Sequence, residues 1–136
     1  MTQDNIFTLF STAAEDAENG KWFKFGQTIE VKIRRFKSKK SRKVRETLEA
    51  PYARAQKGGA KLPDDVQETI TNEHIATGII ADWKGITDKS GKPLDYTRDN
   101  AIALMEQLPE FRDTVAQISL DLNNYVEEEQ KEVAGN

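Results

Sequence analysis

The 136-residue sequence predicts an α+β domain, predominantly α, in which an N-terminal β-hairpin packs on about four helices. Two patterns support this fold class. Apolar and charged residues alternate strictly along 28–34, as in a half-buried strand. From residue 38 onward, apolar residues instead recur every three or four positions, as on one face of a helix.

The first 20 residues are expected to form an N-terminal arm or a short helix. The alternative to a helix is a partly ordered arm that docks through Phe7 and Phe10. A helix over 3–19 would place five apolar side chains on one side, namely Ile6, Leu9, Phe10, Ala13 and Ala17.

Residues 21–36 are predicted to form the hairpin. Aromatic residues dominate its first strand, and Gly26-Gln27 favours a turn. Because an isolated hairpin is only marginally stable in water, its apolar face is expected to lie on helices. On the second strand that face consists of Ile29, Val31 and Ile33.

The rest of the chain is predicted to be helical and to complete one globular domain over 21–130. Pro51 interrupts the first helix, so a kink or a break into two short helices is expected near Ala50. The second helix is expected to carry Trp83 at its end and to stop at Gly85. The four helices are predicted at about 38–56, 64–84, 97–107 and 109–130, before a tail at 131–136.

The composition argues against catalysis. The chain has no cysteine and one histidine, so disulfides and thiolate metal sites are excluded and a zinc site or nucleophile–base pair is disfavoured. His74 is predicted to be structural, on a helix surface or half-buried. Four aspartates surround the central loop, but their spacing does not fit an EF-hand, and Asp88 is predicted to be a turn acceptor. We expect no enzyme activity, no catalytic or metal-binding residues and no cofactor.

The sequence also predicts a cytoplasmic protein with no membrane partner. No apolar run approaches the roughly 20 residues that span a bilayer. The first residues lack the basic segment of a signal peptide.

Charge is distributed unevenly. Residues 1–61 contain 14 Lys/Arg and 7 Asp/Glu, a net charge of +7, whereas residues 62–136 contain 6 and 16, a net charge of −10. Nine of the cations lie between Lys32 and Arg45. From this run we predict a partner-binding set consisting of Arg34, Arg35, Lys37, Lys39, Lys40, Arg42 and Lys43.

Three interpretations of segment 32–45 remain open. It could bind an acidic protein surface, including the acidic half of a second copy, or be a solvated face. It could also bind nucleic acid by neutralising phosphates. The acidic remainder of the chain and the lack of interleaved aromatics other than Phe36 disfavour nucleic acid, which stays the alternative function.

One central stretch carries a family resemblance. Residues 83–96 read W-K-G-I-T-D-K-S-G-K-P-L-D-Y, and T-R-D-N-A, an apolar helix and L-P-E-F follow. This order resembles the tail assembly chaperones of long-tailed phages, and the resemblance covers roughly residues 20–126. The residues of this family pattern that we expect to be structural are Trp83, Gly85, Gly91, Leu94 and Tyr96.

The resemblance implies a non-enzymatic phage or prophage protein of the host bacterial cytoplasm. Such chaperones bind the tape measure protein, keep it soluble and promote assembly of tail tube subunits around it. They then leave, so the protein is not expected in the mature virion. We also expect a homo-oligomer, because the opposite net charges of the two halves would support self-association that weakens as salt rises.

Overall fold

The computed structural model describes residues 3–126, and the predicted tail at 131–136 lies outside them. Its elements confirm the α+β, predominantly helical class. In chain order they are α1 (Ile6–Phe10), α2 (Ala14–Asn19), β1 (Lys21–Phe25), β2 (Ile29–Ile33), α3 (Lys39–Glu49), α4 (Ala53–Lys57), α5 (Asp64–Glu73), β3 (Ile80–Lys84), α6 (Arg98–Gln107) and α7 (Pro109–Leu120).

The predicted hairpin is present, but it belongs to a three-stranded antiparallel sheet with the order β1-β2-β3. Phe23 faces Val31 across the first pair of strands, and Val31 faces Trp83 across the second. The third strand was not predicted, because its apolar spacing was interpreted as the end of a helix and its pairing partner β2 is distant in sequence.

The prediction of one continuous helix over 64–84 is wrong. Regular α-helix ends at Glu73, a π-helical segment covers His74–Ile79, and β3 begins at Ile80. The apolar spacing of this region is compatible with either period, and its isoleucines and tryptophan favour strands. The free edge of β2 supplies backbone hydrogen-bond partners, and pairing with them makes residues 80–84 a strand. Gly85, with φ +81°, therefore ends a strand and not a helix.

The core lies between the sheet and the helices. The ring of Phe25 on β1 meets Phe111 on α7 edge-on, with centroids 5.4 Å apart. The expected packing of the hairpin face on helices is therefore present. The buried cluster joins the sheet, the π-helical segment, α6 and α7 through Val31, Ile33, Ile75, Ala76, Ile79, Ile80, Trp83, Ile86, Ala101, Met105 and Val115.

The change from helix to strand leaves carbonyl groups that need partners. The backbone N–H of Arg34 donates to Ile79 O at 2.7 Å, and Arg34 Nη1 lies 3.4 Å from the carbonyl oxygens of Gly78 and Ile80. The hydroxyl of Tyr96 lies 2.8 Å from two carbonyl oxygens of the same region, those of Ala76 and Ile80. Tyr96 thus ties the central stretch to the π-helical segment.

Replacing Tyr96 by Phe is expected to lower the free energy of unfolding by about 1–3 kcal/mol, because carbonyls in a half-buried position lose a donor. Urea denaturation would measure the change. Tyr52→Phe is the control, since Tyr52 is also half-buried and lies in the segment between α3 and α4. A loss no larger than that of the control would show that the hydroxyl contributes nothing to stability.

Two of the helix predictions differ in outcome. The break near Ala50 is confirmed, because α3 ends at Glu49 and a 3₁₀ turn leads into α4. The helix predicted to reach residue 130 ends at Leu120, and its last predicted residues lie outside the described part. Asp121 Oδ1 accepts from the Asn123 N–H and starts a 3₁₀ turn. That turn directs Tyr125 into the core, where its hydroxyl donates to Ile33 O at 3.0 Å.

The N-terminal region forms two short helices. Phe7 and Phe10 do not dock against the described residues 3–126, so the alternative of an arm docked there is wrong. Phe7 is 75% exposed and Phe10 is 59% exposed. The segment after α1 is nonetheless fixed, because the Ala13 N–H donates to Tyr125 O at 2.7 Å. Every helix within the described residues is too short or too polar to traverse a lipid bilayer.

Candidate interaction surfaces

The central stretch is built by internal contacts. The indole N–H of Trp83 donates to Leu94 O at 2.7 Å, and the Trp83 and Tyr96 rings meet edge-on at 5.1 Å. Gly85 lies against the backbone of Thr28, where a Cβ would collide with the carbonyl oxygen. These contacts hold the stretch against the sheet.

Asp88 closes the turn within this stretch. Its Oδ1 accepts from the Ser90 N–H and Oγ–H at 2.8 and 2.6 Å and from the Lys92 N–H at 3.0 Å. The Ser90 hydroxyl first, and then the Lys92 amide, lower the pKa of Asp88. The predicted turn-acceptor role is confirmed. Within residues 3–126, no three His, Asp or Glu side chains are grouped so that they could hold a metal ion.

Ser41 and His74 form a buried polar pair. Ser41 Oγ lies 2.8 Å from His74 Nε2, and the two residues are 0% and 2% exposed. Burial first, and then the charge of Arg45, lower the pKa of His74 to about 4. The prediction of a surface or half-buried histidine is wrong, because α3 packs over it. A serine–histidine contact can form part of a nucleophilic site. Both side chains are almost completely buried here, beside a cavity of about 170 Å³ that they line together with Phe36, Arg42, Arg45 and Glu46.

The predicted basic residues separate into two groups. Arg34 and Arg35 are half-buried, and burial lowers the pKa of Arg34, whose guanidinium is directed at backbone carbonyls. The other five are exposed at the start of α3 and in the turn before it; we call Lys37, Lys39, Lys40, Arg42 and Lys43 the basic surface.

The first turn of α3 holds Lys39, Lys40 and Arg42 where the helix dipole opposes them. Two of its amides are engaged by the fold: Ser38 Oγ accepts from the Ser41 N–H at 3.3 Å, and Glu18 Oε2 accepts from the Lys39 N–H at 2.8 Å. The basic surface therefore offers a partner mainly side-chain ammonium and guanidinium groups.

An open groove runs along α6 beside the central stretch. Its volume is about 890 Å³. Leu108, at its end, is 48% exposed. We call it the α6 groove; its apolar lining consists of Leu94, Ala103, Leu104 and Leu108, with Thr87, Asn100 and Gln107 among the polar residues.

Sequence reasoning missed this groove. It assigned Leu104 and Leu108 to the core side of the helix and Leu94 to internal packing. The available signal was an excess of apolar residues on α6: Ala101 and Met105 are buried, Ile102 and Leu104 are partly buried against the core, and Leu108 stays exposed.

A second apolar feature is α1, of sequence I-F-T-L-F. Ile6 is 61% exposed and Leu9 is 39% exposed, in addition to the two exposed phenylalanines. Clustered exposed apolar side chains commonly mark an interaction surface. The described residues thus present a basic surface, an apolar groove and an apolar helix.

Comparison with known proteins places these features in a family context. A family model described as YdaY prophage protein matches residues 36–136, which includes the basic surface, the central stretch and the α6 groove. No curated protein and no solved structure gives a significant match to the chain.

Proposed function

The chain belongs to the YdaY prophage protein family, and from this premise we propose that it is a phage tail assembly chaperone. It binds the tape measure protein of its prophage in the host cytoplasm and keeps that protein soluble. It promotes assembly of tail tube subunits and is absent from the finished virion. It acts by binding, without a catalytic step or a cofactor.

The observation that carries this proposal is the α6 groove. Its volume of about 890 Å³ lies within the range of roughly 300–1,000 Å³ that protein ligand sites occupy. Its apolar lining suits a helix that inserts side chains from one face. A long helical client that aggregates through such faces would have them covered by copies of this chain.

The expected strength of one such contact is modest. Each large apolar side chain buried contributes about 1.5–3 kcal/mol, whereas association costs about 4–15 kcal/mol of lost freedom. A single groove filled by two or three side chains would therefore bind weakly. Copies that also contact one another along one client would hold it by avidity and could still be displaced by tube subunits.

Co-expression with the tape measure protein tests the proposal. Wild-type chain is expected to move the client into the soluble fraction and to co-purify with it. Leu108→Glu is expected to reduce co-purification about tenfold or more, because a charge replaces a leucine contact of at least ~1.4 kcal/mol. Leu120→Glu is the matched control, since Leu120 is 59% exposed and lies outside the groove lining. An insoluble client with wild-type chain would remove the proposal.

A second candidate function is nucleic-acid binding through segment 32–45. The five exposed cations of the basic surface favour it. It predicts DNA affinity that falls steeply with salt, with a slope of about −0.9 per phosphate contacted. Lys39→Glu with Lys43→Glu would then weaken DNA binding and leave client solubility unchanged; tight DNA binding without client binding would favour this candidate.

A further inference from the structure

We propose that the basic surface binds an acidic segment of the same chain, residues 127–132, which follow Val126 in sequence and lie outside the described part. The contact makes other polyanions compete for the five cations. It concerns a different surface from the α6 groove and does not rest on the proposed function, so it is tested without a client.

The basic surface lacks counter-charges within residues 3–126. None of its five cations forms an ion pair with a carboxylate there. Glu18 accepts from the Lys39 N–H at 2.8 Å, and Glu49 pairs with Arg45 at 3.3 Å. Three of the cations also lie in the first turn of α3, where the helix dipole opposes them. A carboxylate brought to this place is therefore favoured by the cations and by the dipole.

The residues after Val126 supply the missing charge. Residues 127–132 read E-E-E-Q-K-E, which gives a net charge of −3. We call them the acidic segment. They include Glu127, Glu128 and Glu129, the only three consecutive acidic residues of the sequence. They contain no apolar side chain for a core, so charge is the main attraction that they can offer to the rest of the chain.

The described chain ends close to the basic surface. The Ala13 N–H donates to Tyr125 O at 2.7 Å, and one helical turn further Ala17 O accepts from the Arg35 N–H at 3.0 Å. Because one turn rises ~5.4 Å, the backbones of Tyr125 and Arg35 lie within ~15 Å of each other. Six extended residues span up to ~20 Å. The acidic segment can therefore reach Lys37 and the start of α3.

The acids of α2 influence the path that the segment takes. Glu15, Asp16 and Glu18 repel it from that helix. A second path runs beside the end of α7, because the Phe36 N–H donates to Ser119 O at 2.9 Å. The turn that carries Lys37 therefore adjoins α7 as well as α2, and a segment that avoids α2 still meets the cations.

The contact is expected to be reversible. Exposed ion pairs are individually weak, but attachment to the same chain gives the segment an effective concentration of the order of mM. A free polyanion at lower concentration must displace it. The screening length falls from ~10 Å at 0.1 M salt to ~3 Å at 1 M, so added salt should release the segment.

Zero-length cross-linking with a carbodiimide tests the contact, because it joins only carboxylates and amines that touch. The sample is an equal mixture of unlabelled and ¹⁵N-labelled chain, read by mass spectrometry. We expect the acidic segment to be joined to Lys37, Lys39 or Lys40 within chains of one label, and to lose these links in 0.5 M salt. Four exposed lysines elsewhere are the internal reference and should remain unlinked to it: Lys57, Lys61, Lys89 and Lys92.

Competition by a labelled single-stranded oligonucleotide gives a second readout. Neutralising the segment, with Gln at positions 127, 128 and 129, is expected to raise affinity for this probe about tenfold, because a tethered competitor is lost. The matched control changes the net charge equally on α5, α6 and α7, where the acids are exposed. It should raise affinity no more than about twofold through the overall charge. Its substitutions are Asp65→Asn, Glu106→Gln and Glu110→Gln.

Three outcomes would overturn the proposal. The first is cross-linking spread evenly over all exposed lysines, which would mean that the segment has no preferred surface. The second is linkage mainly between chains of different label, which would assign the basic surface to a second copy. The third is an equal effect of the two triple variants on oligonucleotide affinity, including no effect of either, which would leave the surface open to nucleic acid or solvent.

Discussion

Gly85→Ala is expected to lower the free energy of unfolding by about 3 kcal/mol or more. Gly85 has φ +81°, a left-handed conformation that costs an alanine roughly 1–2 kcal/mol. The added Cβ would also overlap the carbonyl oxygen of Thr28, a backbone atom that no side-chain rotation can move aside. Forcing such an overlap costs about 1–3 kcal/mol more. Chemical denaturation followed by tryptophan fluorescence would measure the loss.

Gly91→Ala separates the two causes. Gly91 has a similar φ of +88°, yet a Cβ there would have no atom within 4 Å. We therefore expect it to cost only the ~1–2 kcal/mol of the left-handed conformation. Equal losses at the two glycines would show that the end of β3 shifts freely away from Thr28, contrary to a tightly paired sheet.

Lowering the pH from 7 to 4 is expected to reduce stability by about 3 kcal/mol through His74 alone. Burial and the charge of Arg45 lower the pKa of His74 from 6.5 to about 4, against the opposing effects of Ser41 and Glu49. Each pKa unit of difference between the folded and unfolded states corresponds to about 1.36 kcal/mol.

The sign follows from proton uptake. Above pH 6.5 the histidine is neutral in both states, so its contribution to stability does not change with pH. Between pH 6.5 and about 4 the unfolded chain binds a proton that folded His74 does not, so stability falls as the pH falls. Below about 4 both states are protonated and the decline ends.

His74→Gln is the variant that isolates this effect. Its amide can still reach Ser41 Oγ, but it does not titrate. Urea unfolding at several pH values should show a shallower decline for the variant than for wild type between pH 6.5 and 4. Carboxylates contribute equally to both proteins and cancel in the difference. Identical slopes would mean that His74 accepts its proton without leaving the buried pair, which its 2% exposure argues against.

Much of the fold could be predicted from local pattern. The hairpin was recognisable because strict alternation places one face of a strand toward a core. Helix α6 was predicted closely, because Thr97 caps it and its Oγ1 accepts from the Asn100 N–H. The break at Ala50 followed from the missing amide proton of Pro51. Each of these features depends on residues adjacent in sequence.

The candidate sites were predicted less completely. The basic run was visible as charge, but the division between Arg34 and the exposed lysines depends on which carbonyls the π-helical segment leaves open. The α6 groove depends on the distance between the central stretch and α6, which cannot be inferred from residue spacing along the chain. The apolar residues of α1 were recognisable in the sequence, but their exposure to solvent could not be predicted from it.

By itself the sequence determined the fold class, the hairpin, the polarity of charge and the residue pattern of a phage protein, because these are properties of periodicity and composition. Only the tertiary structure decided that residues 80–84 form a strand, that His74 is buried and that the α6 groove is open. The physical reason is competition between distant partners: the free edge of β2 needed hydrogen bonds, and the π-helical carbonyls needed Arg34 and Tyr96. Which partner satisfies such groups is settled by packing and not by local propensity.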